Sequence, residues 1–207
     1  MPVDVVERFA RAAALTIAQA RRHRAAGASV RDREEVLDAG TLALAPRPCR
    51  PSALVREAVD EMQAAATAAG LSLRMKAPAA LPLVCADAER LVQVLTNLIA
   101  NSVKFTGAGG EVMVLAVRQS STEVRFSVRD TGRGIAAEDL PHVFERRGQA
   151  RAAAARRGSG LGLSSCKSLV ELSGGRIWAE SKRAHGTTVS FVLPGWGADA
   201  ATHELTT

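Results

Sequence analysis

The main shortage in the sequence is of aromatic side chains. They make up 3% of the 207 residues, and tyrosine is absent. Proteins that read single-stranded nucleic acid stack bases on aromatic rings, so the composition argues against that class of protein. With so few rings available, we expect a core built from Ala, Val, Leu and Ile.

Cysteines and long apolar runs are also scarce. The three cysteines, Cys49, Cys85 and Cys166, are far apart and share no metal-binding spacing, so we expect reduced, structural thiols. No apolar run approaches the roughly 20 residues that a membrane-spanning helix needs, and the first residues lack a signal-peptide pattern. We therefore expect a cytoplasmic protein, or the soluble part of something larger, with no membrane span.

Charge and hydrophobicity are those of a soluble globular chain with a basic bias. Apolar residues make up 47% of the sequence and the formal net charge is +6. The charge indicates either a polyanionic partner or a bias towards Arg that has no functional cause.

The chain is predicted to have three parts: a helical segment over 1–40, a domain over 41–194 and a flexible tail over 195–207. Residues 2–26 carry apolar side chains at alternating spacings of three and four, which favours either a dimer seam or packing on the same domain. The boundary is placed in the Pro-rich stretch 41–51.

The central part shows a mixed pattern of helices and strands. Ser52 and Asp87 are predicted to cap helices over 53–69 and 88–105, and a third helix opens at about Gly160. The strands are predicted at 71–76, 111–119, 123–130, 176–182 and 187–193. This order predicts an α/β layered domain with an antiparallel portion.

Three polar residues interrupt the apolar helix 88–105. Asn97, Asn101 and Lys104 are spaced i, i+4 and i+7, so they share one helix face. An asparagine carbonyl suits Mg²⁺, and a lysine one turn away suits a phosphate. A polar stripe facing solvent is the alternative.

Two glycine-bearing segments follow. Asp130-Thr-Gly132-Arg-Gly134-Ile135 comes directly after a strand, where an aspartate can accept a hydrogen bond from an amino group such as that of adenine. The segment 158–163 places glycines at alternate positions before a helix, as phosphate-binding loops do. Either segment alone is also explained by an ordinary loop.

In this order, the segments resemble the ATP-binding domain of sensor histidine kinases, in the wider group that includes gyrase, Hsp90 and MutL. The N box resembles 93–106, the G1 box 130–135 and the G2 box 158–163, while 139–145 and 174–181 are similar to the F box and a closing strand. The resemblance implies a two-layer α/β sandwich, with a mixed, mostly antiparallel sheet on about three helices. It also implies binding of ATP and Mg²⁺.

The resemblance implies a role for each matching residue. Asn101 would ligate Mg²⁺, Lys104 would contact phosphate and Asp130 would accept from the adenine amino group. Thr187 or Thr188 would reach adenine, and Phe144 would pack the lid. The remaining residues implied at the nucleotide are Gly132, Gly134, Ile135, Gly158, Ser159, Gly160, Leu161, Gly162 and Leu163.

Three departures from the family pattern shape the functional hypotheses. Asn97 replaces the Glu of hydrolysing relatives and cannot act as a base, which favours phosphoryl transfer over hydrolysis. No histidine of the chain matches the phosphoacceptor pattern, so the acceptor is expected to be cut away, supplied by another chain or absent from the protein. Arg147 stands where an aromatic is common, within the loop 146–157 whose five arginines either clamp the triphosphate or are simply solvated.

The leading hypothesis is the catalytic part of a histidine kinase, which transfers the γ-phosphoryl group of Mg·ATP to a histidine. Its expected partners are a histidine-bearing dimerisation domain and a response regulator, with no nucleic acid and with a homodimer through the N-terminal helices. The alternative is a kinase-like regulatory protein without phosphotransfer, and a hydrolysing ATPase ranks third.

Overall fold

The structure is a computed structural model, and it describes residues 44–145 and 162–196. The chain divides into two compact units, 1–43 and 44–207, so the described residues all belong to the second. The helices predicted before residue 41 and the basic loop 146–157 lie outside the described residues. The described strands are β1 Arg47–Cys49, β2 Ser72–Lys76, β3 Val84–Ala86, β4 Glu111–Arg118, β5 Glu123–Asp130, β6 Arg176–Ser181 and β7 Thr187–Pro194, and the helices are α1 Pro51–Ala68, α2 Ala88–Phe105 and α3 Gly162–Leu172.

Five strands form the main sheet in the order β2-β4-β5-β7-β6. Strands β2 and β4 run parallel, and every other neighbouring pair in this sheet is antiparallel. Helices α1 and α2 contact each other and β4, and α3 contacts α2, β6 and β7, so the helices form one layer on the sheet. The predicted fold class, a two-layer α/β sandwich with a mostly antiparallel sheet, is confirmed.

The start of the domain differs from the prediction. The structure has a second, two-stranded sheet of β1 and β3, which the Pro-rich stretch did not suggest. Helix α1 begins at Pro51, with Arg50 at its N-cap, so the predicted cap at Ser52 is wrong. The reason is that a proline at the first helical position has a preset φ and needs no partner for an N–H.

Helix α2 forms where the sequence predicts it. The Asp87 side chain caps it by accepting from the backbone N–H of Arg90 at 3.2 Å. Its buried face is apolar except for one residue, Ser102. Because this face is pressed against the sheet, the opposite polar positions of the helix are left available for a site.

The core is aliphatic, with two rings at its centre. The rings of Phe126 on β5 and Phe191 on β7 stack with centroids 5.0 Å apart. Most of the remaining core side chains are Val, Leu, Ile and Ala, as the composition predicted. After β7, the N–H groups of Gly195 and Trp196 donate to the carbonyls of Thr122 and Leu83, which ties the first two residues of the predicted tail to the domain.

No helix within 44–145 or 162–196 is both long enough and apolar enough to cross a bilayer. In the same residues all three cysteines are free thiols, and burial raises the pKa of Cys49 above its ordinary value.

Candidate functional site

The buried carboxylate of Asp130, at the end of β5, is the centre of the site. Its side chain is 7% exposed and accepts hydrogen bonds on both oxygens. Oδ1 accepts from the backbone N–H of Gly132 at 2.9 Å and of Thr187 at 3.1 Å. Oδ2 accepts from the hydroxyl of Ser102 at 3.2 Å. Three donors therefore hold the carboxylate that the sequence predicts to accept a hydrogen bond from an amino group of the ligand.

The loop after Asp130 has room only for glycine at its two predicted positions. A methyl group on residue 132 would lie 2.5 Å from the carbonyl oxygen of Phe105, far inside van der Waals contact. Gly134 has a φ of +67°, which side-chain-bearing residues rarely adopt, and a Cβ at this position would clash with the carbonyl oxygen of Lys182. Both the backbone conformation and the lack of space therefore require glycine. The glycines hold this loop close to α2 and to the β6–β7 turn.

Ser181, at the end of β6, also binds this loop. Its Oγ accepts from the N–H of Ile135 at 2.8 Å and lies 2.8 Å from the carbonyl oxygen of Gly186. It also lies 3.0 Å from Oγ1 of Thr187. The structure thus brings together five residues where β5 ends and β7 begins: Asp130, Gly132, Gly134, Ile135 and Thr187. Their predicted contacts with a nucleotide stay predictions.

Of the two threonines predicted to reach adenine, the structure favours Thr187. It pairs with Ser181 across the sheet, and its N–H donates to Asp130. Thr188 lies opposite Arg129 and Glu180, both exposed, on the other sheet face. Because neighbouring residues of a strand point to opposite faces, only one of the two threonines can face the carboxylate.

The polar face of α2 forms the second half of the site. Asn97 and Asn101 are half-buried, and Lys104 is exposed. The Asn101 side-chain nitrogen lies 3.7 Å from the position that a Cβ on Gly162 would occupy, so this amide faces the start of α3. Asn101 therefore lies beside the first residue of α3.

Two cationic side chains next to this face both contact the exposed ring of Phe105. Lys104 Nζ and the Arg133 guanidinium carbon lie 5.1 and 4.7 Å from the ring centroid of Phe105. Neither cation has a carboxylate partner among the described residues. A pair of unneutralised cations favours an anionic ligand at this position.

The described residues include only part of the predicted phosphate loop. Gly162 and Leu163 begin α3, and Phe144 is half-buried just before the gap. Gly158, Ser159, Gly160, Leu161 and Arg147 lie outside the described residues, and their predicted roles stay predictions.

Sequence reasoning missed two residues of the site, Ser102 and Ser181. Ser102 continues the apolar stripe of Leu91, Leu95 and Leu98 at the helical spacing, and a polar residue on such a stripe signals a buried partner. Ser181 carried no local signal, because the N–H that it accepts from belongs to Ile135, 46 residues earlier in the chain.

No cluster of three or more His, Cys, Asp or Glu side chains that could hold a metal occurs in 44–145 and 162–196.

Residues 86–196 match the family model described as histidine kinase-, DNA gyrase B-, and HSP90-like ATPase. The adaptive-response sensory kinase SasA of Parasynechococcus marenigrum (strain WH8102) is 36% identical over 141 residues, which are 68% of this chain and 37% of the relative. SasA of Synechococcus elongatus is 32% identical over 154 residues, 74% of this chain and 40% of the relative. The chain thus spans well under half the length of these relatives.

Two solved structures have a similar fold. Full-length ShkA in complex with AMPPNP has a TM-score of 0.69 and 31% identity, and the match covers 78% of this chain and 34% of that one. The histidine kinase ThkA in complex with the response regulator protein TrrA has a TM-score of 0.65 and 25% identity, over 83% of this chain and 49% of that one.

Proposed function

Because the chain belongs to the histidine kinase-, DNA gyrase B-, and HSP90-like ATPase family, we propose that its second unit is an ATP-binding histidine kinase domain. In this proposal the domain binds Mg·ATP and transfers the γ-phosphoryl group to a histidine imidazole supplied from outside it.

The observation that carries the proposal is the braced carboxylate of Asp130. An ionised carboxylate only accepts hydrogen bonds, so it suits the exocyclic amino group of adenine and repels the carbonyl oxygen that guanine presents instead. Its three protein donors hold it beside a loop that Gly132 and Gly134 allow to lie close to α2 and to the β6–β7 turn.

The polar face of α2 is the proposed polyphosphate end. Lys104 supplies a positive charge without a carboxylate partner among the described residues, and the side-chain amide of Asn101, whose oxygen is the proposed metal ligand, lies beside the start of α3. Mg²⁺ fits this donor set, since it keeps several waters and is usually held by one or two protein oxygens together with phosphate oxygens. When bound, the metal neutralises charge on the phosphates.

Asn97 separates phosphoryl transfer from hydrolysis in this proposal. It lies one turn before Asn101 on α2, and its amide cannot take a proton from water at neutral pH. The domain therefore positions the γ-phosphoryl group without activating a competing water, and the incoming imidazole is the nucleophile. No feature of the described residues favours the alternative of a regulatory protein without phosphotransfer.

The remaining parts of the proposal concern partners. We propose that the phosphoryl group passes from the histidine to a response regulator, consistent with the ThkA–TrrA complex among similar structures. We also propose that the N-terminal segment 1–40 dimerises, and that the protein works in the cytoplasm, where ATP is available.

The test has two stages. First, a fluorescent ATP analogue is titrated into the 207-residue chain with and without Mg²⁺, and a Kd weaker than about 1 mM, or about −4 kcal/mol, would overturn the proposal. Second, the chain is mixed with γ-labelled ATP and a separate histidine-bearing dimerisation domain, with a His→Ala form of that domain as control. We expect an acid-labile, alkali-stable label on the dimerisation domain that keeps its histidine and no such label on the His→Ala form. Fast release of free phosphate without this label would instead support the ATPase hypothesis.

A further inference from the structure

A buried serine contacts the carboxylate at the centre of the site. Ser102 is 6% exposed and its hydroxyl lies 3.2 Å from Oδ2 of Asp130, which is 28 residues further along the chain. Ser102 interrupts the apolar face that α2 presses against the sheet. A buried hydroxyl is costly unless it has a partner, and Asp130 is the partner that the structure gives it.

The two oxygens of Asp130 are used differently. Oδ1 accepts from two backbone N–H groups, those of Gly132 and Thr187, and so has both of its acceptor positions filled. Oδ2 accepts from Ser102 alone, which leaves one acceptor position. A ligand amino group can therefore bind Asp130 only at the open position of Oδ2, and Ser102 is the residue that fixes where this position points.

We propose that Ser102 is a positioning residue for adenine recognition: its hydroxyl holds Oδ2 of Asp130 so that the open acceptor position faces the 6-amino group of the base. This inference rests on the proposed function, because it assumes that the pocket holds adenine. Ser102 acts through Asp130, so its removal must affect ligands that carry the 6-amino group more than ligands that lack it.

The test is a comparison of two nucleotides on two serine variants of the full 207-residue chain. The nucleotides are ATP and purine riboside triphosphate, which has a hydrogen in place of the 6-amino group. The variant Ser102→Ala is matched with Ser190→Ala, because Ser190 is also buried and its hydroxyl bonds Ser127 on the sheet face away from the helices. Competition with a fluorescent nucleotide gives the four affinities, and thermal unfolding verifies the fold of each variant.

The expected result is selective. Ser102→Ala weakens ATP binding about tenfold, as the loss of an ordered hydrogen bond to a charged acceptor implies, and changes the affinity for purine riboside triphosphate less than about twofold. Ser190→Ala changes neither affinity. A second variant, Ser102→Thr, keeps the hydroxyl and retains most of the preference for ATP.

Other outcomes overturn the inference, and they separate it from the proposed function. If the unmodified chain binds both nucleotides equally, the adenine site fails and the inference falls with it. If the unmodified chain prefers ATP but Ser102→Ala weakens both nucleotides equally, or neither, the site stands and the positioning role of Ser102 is wrong.

Discussion

The backbone N–H of Thr187 donates to Oδ1 of Asp130 at 3.1 Å, although 57 residues separate the two in the sequence. The bond joins the first residue of β7 to the last residue of β5, and it exists because these strands pair antiparallel. The proposed recognition of adenine thus depends on the register of β5 and β7, so changes at this end of the two strands are expected to act on nucleotide affinity.

The first prediction concerns the carboxylate itself. Asp130→Asn is expected to weaken ATP binding about 10- to 100-fold, because an amide nitrogen in place of an oxygen meets N–H and O–H donors, and each bond to a charged acceptor is worth about 1.5–3 kcal/mol. Competition binding measures the loss. Arg129→Gln, on the exposed residue next to it, is the control and should bind ATP normally; equal loss in both variants would contradict the assignment.

A second prediction uses two glycines that differ in the space around them. Gly132→Ala places a methyl group against the Phe105 carbonyl and is expected to lower the free energy of unfolding by about 1–3 kcal/mol and to impair ATP binding. Gly107→Ala, where no atom lies within 4 Å of the new methyl group, should change neither. Chemical denaturation and nucleotide titration test both; a tolerated Gly132→Ala would mean that the loop is looser than described.

Ser181 provides a third prediction. Ser181→Ala removes the acceptor of the Ile135 N–H and is expected to weaken ATP binding about three- to tenfold, since a net hydrogen bond is worth about 0.5–1.5 kcal/mol. Ser173→Ala also loses a hydroxyl bond to a carbonyl but lies at the far end of α3, so its affinity for ATP should stay unchanged. Isothermal titration calorimetry compares them, and matching affinities would argue against a role of Ser181 in shaping the loop.

The fourth prediction separates the two asparagines of α2. Asn101→Ala is expected to abolish the tightening of ATP binding by Mg²⁺, because it removes the proposed protein ligand of the metal. Asn97→Ala should keep that tightening, because Asn97 is not the proposed ligand of the metal. Titrations of ATP at several Mg²⁺ concentrations make the comparison, and loss of Mg²⁺ dependence in both variants would contradict the assignment.

The fifth prediction concerns acid stability at the other end of β5. Arg176 donates two hydrogen bonds to Glu123, at 2.6 and 3.1 Å, which lowers the pKa of this carboxyl below its ordinary value of 4.5. A lowered pKa in the folded state stabilises the fold above the ordinary pKa, and the contribution is lost as pH falls through the lowered value.

Thermal unfolding at a series of pH values tests this ion pair. Glu123→Gln should lower the unfolding temperature modestly at pH 7, since the pair is at the surface, and the difference from the unmodified chain should shrink as the pH falls below the ordinary pKa of 4.5 and through the lowered one. Glu180→Gln, on an exposed glutamate of β6, is the control. A difference that persists at low pH would mean that the carboxylate charge is not its source.

Local patterns in the sequence were sufficient for most of the elements. The apolar spacing of α2, the capping Asp87 and the alternation over 111–119 and 123–130 each depend on a few neighbouring residues, and the structure has these elements within a residue or so of the predicted bounds. Strands β1 and β3 were not predicted, because three residues are too few to show an alternating pattern. The N-cap of α1 was predicted at Ser52 because serine is a common capping residue, whereas the helix begins at Pro51, a residue type that also suits the first helical position.

The sequence by itself determined which residues are proposed to carry the chemistry: the asparagines and lysine of α2, and an aspartate followed by spaced glycines. Their residue types and local spacing are enough to indicate amide, cation and carboxylate groups for a nucleotide. Only the tertiary structure decided how the carboxylate is held. The pairing of β5 with β7 selects Thr187 over Thr188, and the packing of α2 on the sheet brings Ser102 to Asp130. These contacts join residues far apart in the chain, so they depend on strand register and helix packing, which no local pattern specifies.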